Sequence, residues 1–342
     1  MLLTPGPVSI PDFVMQAIAK PVIPHRSAEF EAFFAGFKEK LQYFFQTKQE
    51  VCTFLGNGSL CMEAMMYSLF CKGEKIVVAN FGKFSERWAE YGRLIGLEVA
   101  DIQAEWGKMI PNEALFSQIN IDTKGIILTH CETSTGVGQD IEEIAFEVKR
   151  LFPNCLILVD GISTIGAAPF YMDDWQIDGA VVSSQKALTN PTGTAFLAMS
   201  SLAMEKMLPA YPADAYHIGN YLRYARENSY PYSAPVNLLY GIDAALSVIQ
   251  SRTLPVIWNE IHHNAQVFRK RLTQAGGILF PENAADVVSV FSFPNIEMDI
   301  YRKKLKEKGI VLSGGQDRLK GEIARIGHYY SIPAEILAEI CE

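Results

Sequence analysis

The chain of 342 residues is short of several things, and each shortage removes a class of protein. No apolar run approaches the roughly 18 residues of a membrane-spanning helix, so a membrane protein is not expected. Positive charge is scarce: 30 Lys and Arg stand against 38 Asp and Glu, giving a formal net charge of −8. Such a chain has no basic face to lay along a duplex. Nucleic-acid partners are therefore not expected, although a local pocket for one small anion remains open. Cysteine is sparse and unpatterned. Cys52, Cys61, Cys71, Cys131, Cys155 and Cys341 form no CxxC pair, and several lie in apolar runs such as Cys155-Leu-Ile-Leu-Val159. That usage fits reduced, mostly buried thiols in a cytoplasmic protein and excludes a disulfide framework. The first residues, Met1-Leu-Leu-Thr-Pro-Gly-Pro7, lack the basic region and continuous apolar stretch of a signal peptide. Repeats, low-complexity tracts and charged tails are missing as well.

What is present is an ordinary globular composition, 49% apolar, at a length that suits about two domains. Short β-branched runs alternate with amphipathic stretches, the pattern of a mostly parallel sheet covered by helices. Strands are expected at 51–55, 75–79, 97–101, 125–129, 155–159, 179–183 and 194–198. Helices are expected over 59–70, 84–95 and 141–151, with one more opened by Pro111 at its first position. Beyond residue 210 the texture changes. A Tyr- and Pro-rich segment leads into helices at 236–250 and 255–275, a strand near 287–293, a helix at 297–308 and a last strand near 321–326. The expected organisation is a large α/β domain over 10–248 and a small α+β domain over 249–342, joined by residues 1–9.

In an open α/β sheet, ligands bind outside the carboxyl ends of the strands. The first strand ends in Gly56-Asn57-Gly58-Ser59 and enters a helix, a place where freed N–H groups and the helix dipole can hold phosphate. Alone, such a turn is more often structural. The strand 155–159 ends on Asp160, which is either a cap or a buried carboxylate held by a cation. The strand 179–183 runs into Ser184-Gln-Lys186. Lysine is almost never fully buried unless paired or functional, and desolvation makes its amine nucleophilic; snorkelling to solvent is the ordinary alternative. Taken together, a phosphate cradle, a carboxylate and an amine match the phosphate, the pyridine nitrogen and the aldehyde of pyridoxal phosphate.

These residues sit within a longer series: His25-Arg-Ser27, Asn80-Phe-Gly-Lys-Phe-Ser-Glu-Arg-Trp88, Glu132-Thr-Ser-Thr-Gly-Val137, Val159-Asp-Gly-Ile-Ser-Thr164, Ser184-Gln-Lys-Ala-Leu188, Tyr232-Ser-Ala-Pro-Val236 and Gly314-Gly-Gln316. From Leu3 to Gly327 the chain resembles the class V, fold type I aminotransferases of the alanine–glyoxylate and serine–pyruvate group. The resemblance implies a transaminase acting on a small amino acid (alanine, serine or aspartate) and a 2-oxo acid (glyoxylate or pyruvate) by a ping-pong route. It implies Lys186 as the imine-forming lysine and proton carrier, Asp160 against the pyridinium and Ile162 packed under the ring. Phe84 would take the ring-stacking position, and Thr133 would lie near the ring hydroxyl. Asn57, Gly58, Ser59 and Gln185 would hold the phosphate, with Tyr230 and Ser233 reaching it from the second subunit of a homodimer. Arg325 would fork onto the substrate carboxylate, with Gly6 and Arg26 beside the substrate. No metal is implied.

Several of these residues also have plain structural readings: Phe84 and Tyr230 as packing, Arg325 as a salt bridge, His25 and Arg26 as an intersubunit contact, His130 as a core histidine. Two departures stand out, Thr192 in place of a second proline and a short segment after Arg325. Within the same fold, a cysteine desulfurase or other lyase is the alternative. It needs a mobile exposed cysteine, for which Cys341, in the C-terminal tail, is the one expected candidate. A non-catalytic subunit that kept the fold is the other competitor.

Overall fold

Seven apolar runs form one sheet in the computed structural model, which describes residues 1–211 and 214–341. In chain order the strands are β1 (Glu50–Leu55), β2 (Lys75–Asn80), β3 (Glu98–Gln103), β4 (Thr123–Thr129), the short pair β5 (Cys131–Glu132) and β6 (Val137–Gly138), β7 (Leu156–Asp160), β8 (Gly179–Ser183) and β9 (Thr194–Met199). The sheet order is β1-β9-β8-β7-β4-β2-β3, with β5 and β6 paired outside it. β2, β3, β4, β7 and β8 run parallel, whereas β9 is antiparallel to both β8 and β1. Every residue of β7, β8 and β9 is buried, as both-sided helix cover of a parallel sheet demands. Because β7 and β8 are neighbours running the same way, Asp160 and the residues after Ser183 emerge at one edge.

Four helices precede or follow the first strands: α1 (Asp12–Ile18), α2 (Ala28–Phe45), α3 (Gly58–Leu69) and α4 (Lys83–Leu94). The sequence pattern did not announce α1 and α2. In α2 the buried residues Phe30, Phe34, Phe37, Leu41, Phe44 and Phe45 fall at helical spacing, and a stretch so rich in phenylalanine carries little helix propensity to advertise it. Ser27 caps it by accepting from the Phe30 N–H at 3.2 Å.

A second sheet, β10 (Ile278–Leu279), β11 (Val288–Ser292), β12 (Ser313–Gly314) and β13 (Ala324–Gly327), is antiparallel throughout in the order β10-β11-β13-β12. It has its own apolar cluster, including Phe268, Leu272, Phe291, Leu305 and Ile326. β13 begins three residues later than the pattern suggests, because Asp317–Leu319 wind into a 3-10 turn and Gly321 takes φ +82°. The expected division at residue 248 falls inside the helix Val236–Arg252. The N-terminal segment ties the two sheets. Leu3 N–H donates to Val311 O (2.9 Å), Gly327 N–H to Leu3 O (2.8 Å), and Val8 N–H to Gln185 O (3.2 Å). Among the described residues no helix is long and apolar enough to cross a membrane.

Candidate active site

A cavity of about 250 Å³ opens at the carboxyl ends of β1, β7 and β8. It brings together ten residues singled out from the sequence: Gly6, Asn57, Gly58, Ser59, Phe84, Thr133, Asp160, Ile162, Gln185 and Lys186. Pro7, Cys131, Ser163 and Thr192 complete its lining.

Lys186 follows β8 into the interior and is only 8% exposed. Its Nζ donates to Pro5 O at 2.8 Å, so the N-terminal segment both covers the amine and satisfies it. Burial, reinforced by the positive charge of Arg325, lowers its pKa to about 8. Gly6 is obligatory beside it. A Cβ there would lie 2.4 Å from Lys186 Nζ, and the backbone φ of +145° disfavours any side chain.

Asp160 ends β7 and is buried. Its Oδ1 accepts from the Ile162 N–H (3.1 Å) and its Oδ2 from Trp88 Nε1 (3.2 Å). Neither donor is a cation. Burial, with the negative charge of Glu132 adding to it, raises the Asp160 pKa to about 7. A buried carboxyl held near neutrality in this way has room for a cationic partner, which would draw it back to the carboxylate.

The cradle lies where β1 turns into α3. Asn57 caps the helix by accepting from the Leu60 N–H at 3.0 Å. Gly58 N–H donates to Ser183 Oγ (3.2 Å), whose hydroxyl donates to Gln185 Oε1 (2.6 Å). The second position of a helix has no intrahelical acceptor, so the Ser59 N–H is left for an anion. A Cβ at Gly58 would sit 2.6 Å from Ile162 Cδ1, so glycine lets the cradle and that apolar wall meet. Ser59 Oγ accepts from Arg87 Nη1 at 2.6 Å.

Phe84 and Thr133 are set by a residue the sequence reading did not use. Glu132 is fully buried and accepts from Phe84 N (3.0 Å), Ser85 N (2.8 Å) and Ser85 Oγ (2.9 Å) on one oxygen, and from Ser134 N (3.1 Å) and Ser134 Oγ (2.7 Å) on the other. It thus holds the first turn of α4 against the β5–β6 loop, with its acid at the positive end of that helix. A glycine at 82 leaves room for it, since a Cβ there would lie 2.3 Å from Glu132 Cγ.

Arg325 stands just outside the lining, 7% exposed on β13. It donates Nε–H to Gly314 O (2.8 Å) and one Nη1–H to Thr133 O (2.9 Å), which fixes the guanidinium plane and, among the described residues, leaves Nη2 unspent. Three other expected residues lie away from the cavity. Arg26 and Ser233 are exposed. Tyr230 is buried within its own chain, its ring packed edge-on to Tyr221 with centroids 5.9 Å apart. His130 faces Phe170 and Trp175 rather than the cavity, and burial lowers its pKa to about 4. Cys71, not Cys341, is the exposed thiol, because it sits in the turn between α3 and β2. Cys341 is half-buried on the helix Ala334–Cys341.

The family model described as aminotransferase class-V matches residues 10–327. The chain belongs to the class V aminotransferases. An L-aspartate–glyoxylate aminotransferase of Paracoccus denitrificans is 30% identical over 346 residues, covering 97% of this chain and 86% of that one. A protein of Anabaena cylindrica named as the 42 kDa subunit of a soluble hydrogenase is 32% identical, covering 96% of this chain and 88% of that one. The solved structure of an aspartate aminotransferase from Thermus thermophilus superposes with a TM-score of 0.92 at 27% identity, covering 99% of this chain and 96% of that one. As a class V aminotransferase the protein uses pyridoxal phosphate, and the cavity fits that cofactor. An anion cradle at Gly58, a buried carboxyl that among the described residues has no ion pair, and a depressed lysine supply the three complements its phosphate, ring nitrogen and aldehyde require. Among the described residues no group of three His, Cys, Asp or Glu side chains gathers as a metal site would need.

Proposed function

We propose that this aminotransferase moves the amino group of a small amino acid to glyoxylate or pyruvate in two half-reactions at a cavity completed by a homodimer. One observation carries the reading: Lys186, depressed to a pKa of about 8, and Asp160, raised to about 7, share one water-restricted cavity at the ends of adjacent parallel strands. Bound pyridoxal phosphate supplies an electron sink conjugated to the substrate α-carbon. The chain supplies the rest. Asp160, drawn to its carboxylate form by the ring nitrogen, keeps that nitrogen protonated. Lys186, with a pKa close to the working pH, takes the proton from the α-carbon and returns it, a task worth roughly 10²–10⁴ in rate. Pro5 O gives the amine a resting acceptor when it is displaced. Arg325, with Nη2 unspent, receives the substrate carboxylate.

Among the described residues Lys186 is the only cation that lines the cavity, and Arg325 stands at its edge on the side of Thr133. Alanine or serine needs no further positive charge, so these donors suit the cavity better than a dicarboxylate. Ser233, exposed on the surface, is the residue through which a second subunit would reach the cofactor; Tyr230 would have to leave its packing to do so. The buried thiols of Cys52, Cys61, Cys131 and Cys155 suit a cytoplasmic setting. A desulfurase is disfavoured because Cys131, the thiol in the cavity, is buried and its pKa is raised by that burial. The relative named as a hydrogenase subunit keeps a second reading alive, a fold retained for assembly. Such a role has no use for a buried amine. Transamination of glyoxylate and pyruvate by each candidate donor, measured for the native protein and for Lys186→Ala, separates the two. Turnover that survives the loss of the amine would overturn the proposal.

A further inference from the structure

Arg87 is unusual among the cations of α4. Lys83 is neutralised by Glu86 (3.3 Å) and Asp317 (2.8 Å), and Arg93 by Asp101 (2.7 Å), but among the described residues Arg87 forms no ion pair. It is nevertheless held in place. Nη1 donates to Ser59 Oγ at 2.6 Å, in the first turn of α3, and the guanidinium carbon lies 6.0 Å from the centroid of the Phe84 ring. Both anchoring residues line the cavity. A half-buried guanidinium tied to a hydroxyl rather than to a carboxylate, at the mouth of an anion cradle, retains unsatisfied charge and donors.

A cofactor phosphate brings a charge of about −1.5 to −2. The N-terminus of α3 offers the equivalent of about half a positive charge. The chain as a whole is negative by 8, so no general field makes up the difference. We infer that Arg87 is a phosphate-binding residue of the cofactor site, supplying from within the same chain the positive charge that the backbone cradle lacks, with Ser59 as the hydroxyl that orients it. This inference rests on the reading of the cavity as a pyridoxal phosphate site, and it adds a residue that the cavity lining alone does not reveal.

The test compares two probes that differ only by the phosphate. Stripped protein is titrated with pyridoxal phosphate and with pyridoxal, following absorbance and the quenching of tryptophan emission, for the native chain, Arg87→Gln and Arg87→Lys. Arg87→Gln should weaken pyridoxal phosphate by about tenfold to a hundredfold, the scale of one charge-assisted contact, and leave pyridoxal unchanged. Arg87→Lys should recover part of that loss, and inorganic phosphate should compete less well against the probe in Arg87→Gln than in the native protein. Equal weakening of both probes would mean that Arg87 acts by propping Phe84, and no weakening would mean that it does not meet the phosphate. Either result overturns the inference. If the native protein itself bound pyridoxal phosphate no better than pyridoxal, the cofactor reading of the cradle would fall first, and the two failures are thereby told apart.

Discussion

Lys186 costs the empty protein stability, and the cost can be read as a function of pH. In the unfolded chain its pKa is the ordinary 10.5, and burial in the fold brings it to about 8. The folded value is the lower one, so between pH 8 and 10.5 the unfolded chain binds more protons, and stability rises with pH across that window. Below pH 8 the full penalty applies, about 3 kcal/mol for a shift of this size. Lys186→Met removes it but also leaves Pro5 O without its donor, a loss of about 1 kcal/mol. The net expectation for cofactor-free protein at pH 7 is a gain of about 2 kcal/mol, or roughly 3 °C in Tm for a chain of this length. The gain should shrink as pH rises from 8, vanish near pH 10 and turn into a small loss by 10.5, where the unfolded lysine is half-protonated, the penalty is nearly gone and the missing hydrogen bond to Pro5 O remains. Thermal unfolding of the stripped native and variant proteins at pH 7, 9 and 10.5 gives the comparison. A variant less stable than the native protein at pH 7, or a difference that does not change with pH, would refute the assignment of Lys186 as a buried, depressed amine.

Gly6→Ala should fold but lose at least tenfold in turnover, because the new Cβ falls 2.4 Å from Lys186 Nζ and must push the amine aside; retained kcat would show the N-terminal segment to be a mere cover. Arg325→Lys should raise KM for the amino donor by about tenfold to a hundredfold while pyridoxal phosphate still binds, since one ammonium cannot reproduce the fork that reaches Gly314 O and Thr133 O together, and an unchanged KM would remove Arg325 from the substrate site. Trp88→Phe takes away the indole N–H from Asp160 Oδ2, an effect of about 1 kcal/mol that should weaken cofactor binding about fivefold in a spectral titration. Equal affinity in that variant would assign Trp88 to packing alone.

Much of the site was legible because its chemistry contradicts its surroundings. Asp160 closes a run of apolar residues, Lys186 follows another, and a glycine turn opens α3 after a third; polar groups at the ends of buried strands need a reason, and in this fold those ends converge. The supporting residues were not legible, since each acts across a long stretch of chain. Arg87 meets Ser59 28 residues back, Glu132 holds the start of α4 from 47 residues on, and Trp88 meets Asp160 72 residues on. Only the fold brings these pairs together. Tyr230 shows how much packing a motif leaves unsaid: its position suggests a reach toward a second subunit, and its ring is buried edge-on to Tyr221 in its own chain. The direction of β9 did have a local signal. Ten residues separate it from β8, too few for the crossover a parallel neighbour needs, so an antiparallel partner follows from loop length.

The most direct test of transamination is an absorbance scan of the purified protein loaded with pyridoxal phosphate, repeated after adding each candidate donor alone. The expected result is a visible band that collapses to the near-ultraviolet band of the pyridoxamine form with alanine or serine, recovers on addition of glyoxylate or pyruvate, and is missing in Lys186→Ala. A native protein that forms no such band with pyridoxal phosphate, or whose band no amino acid alters, would contradict the assignment of this cavity as a transaminase site.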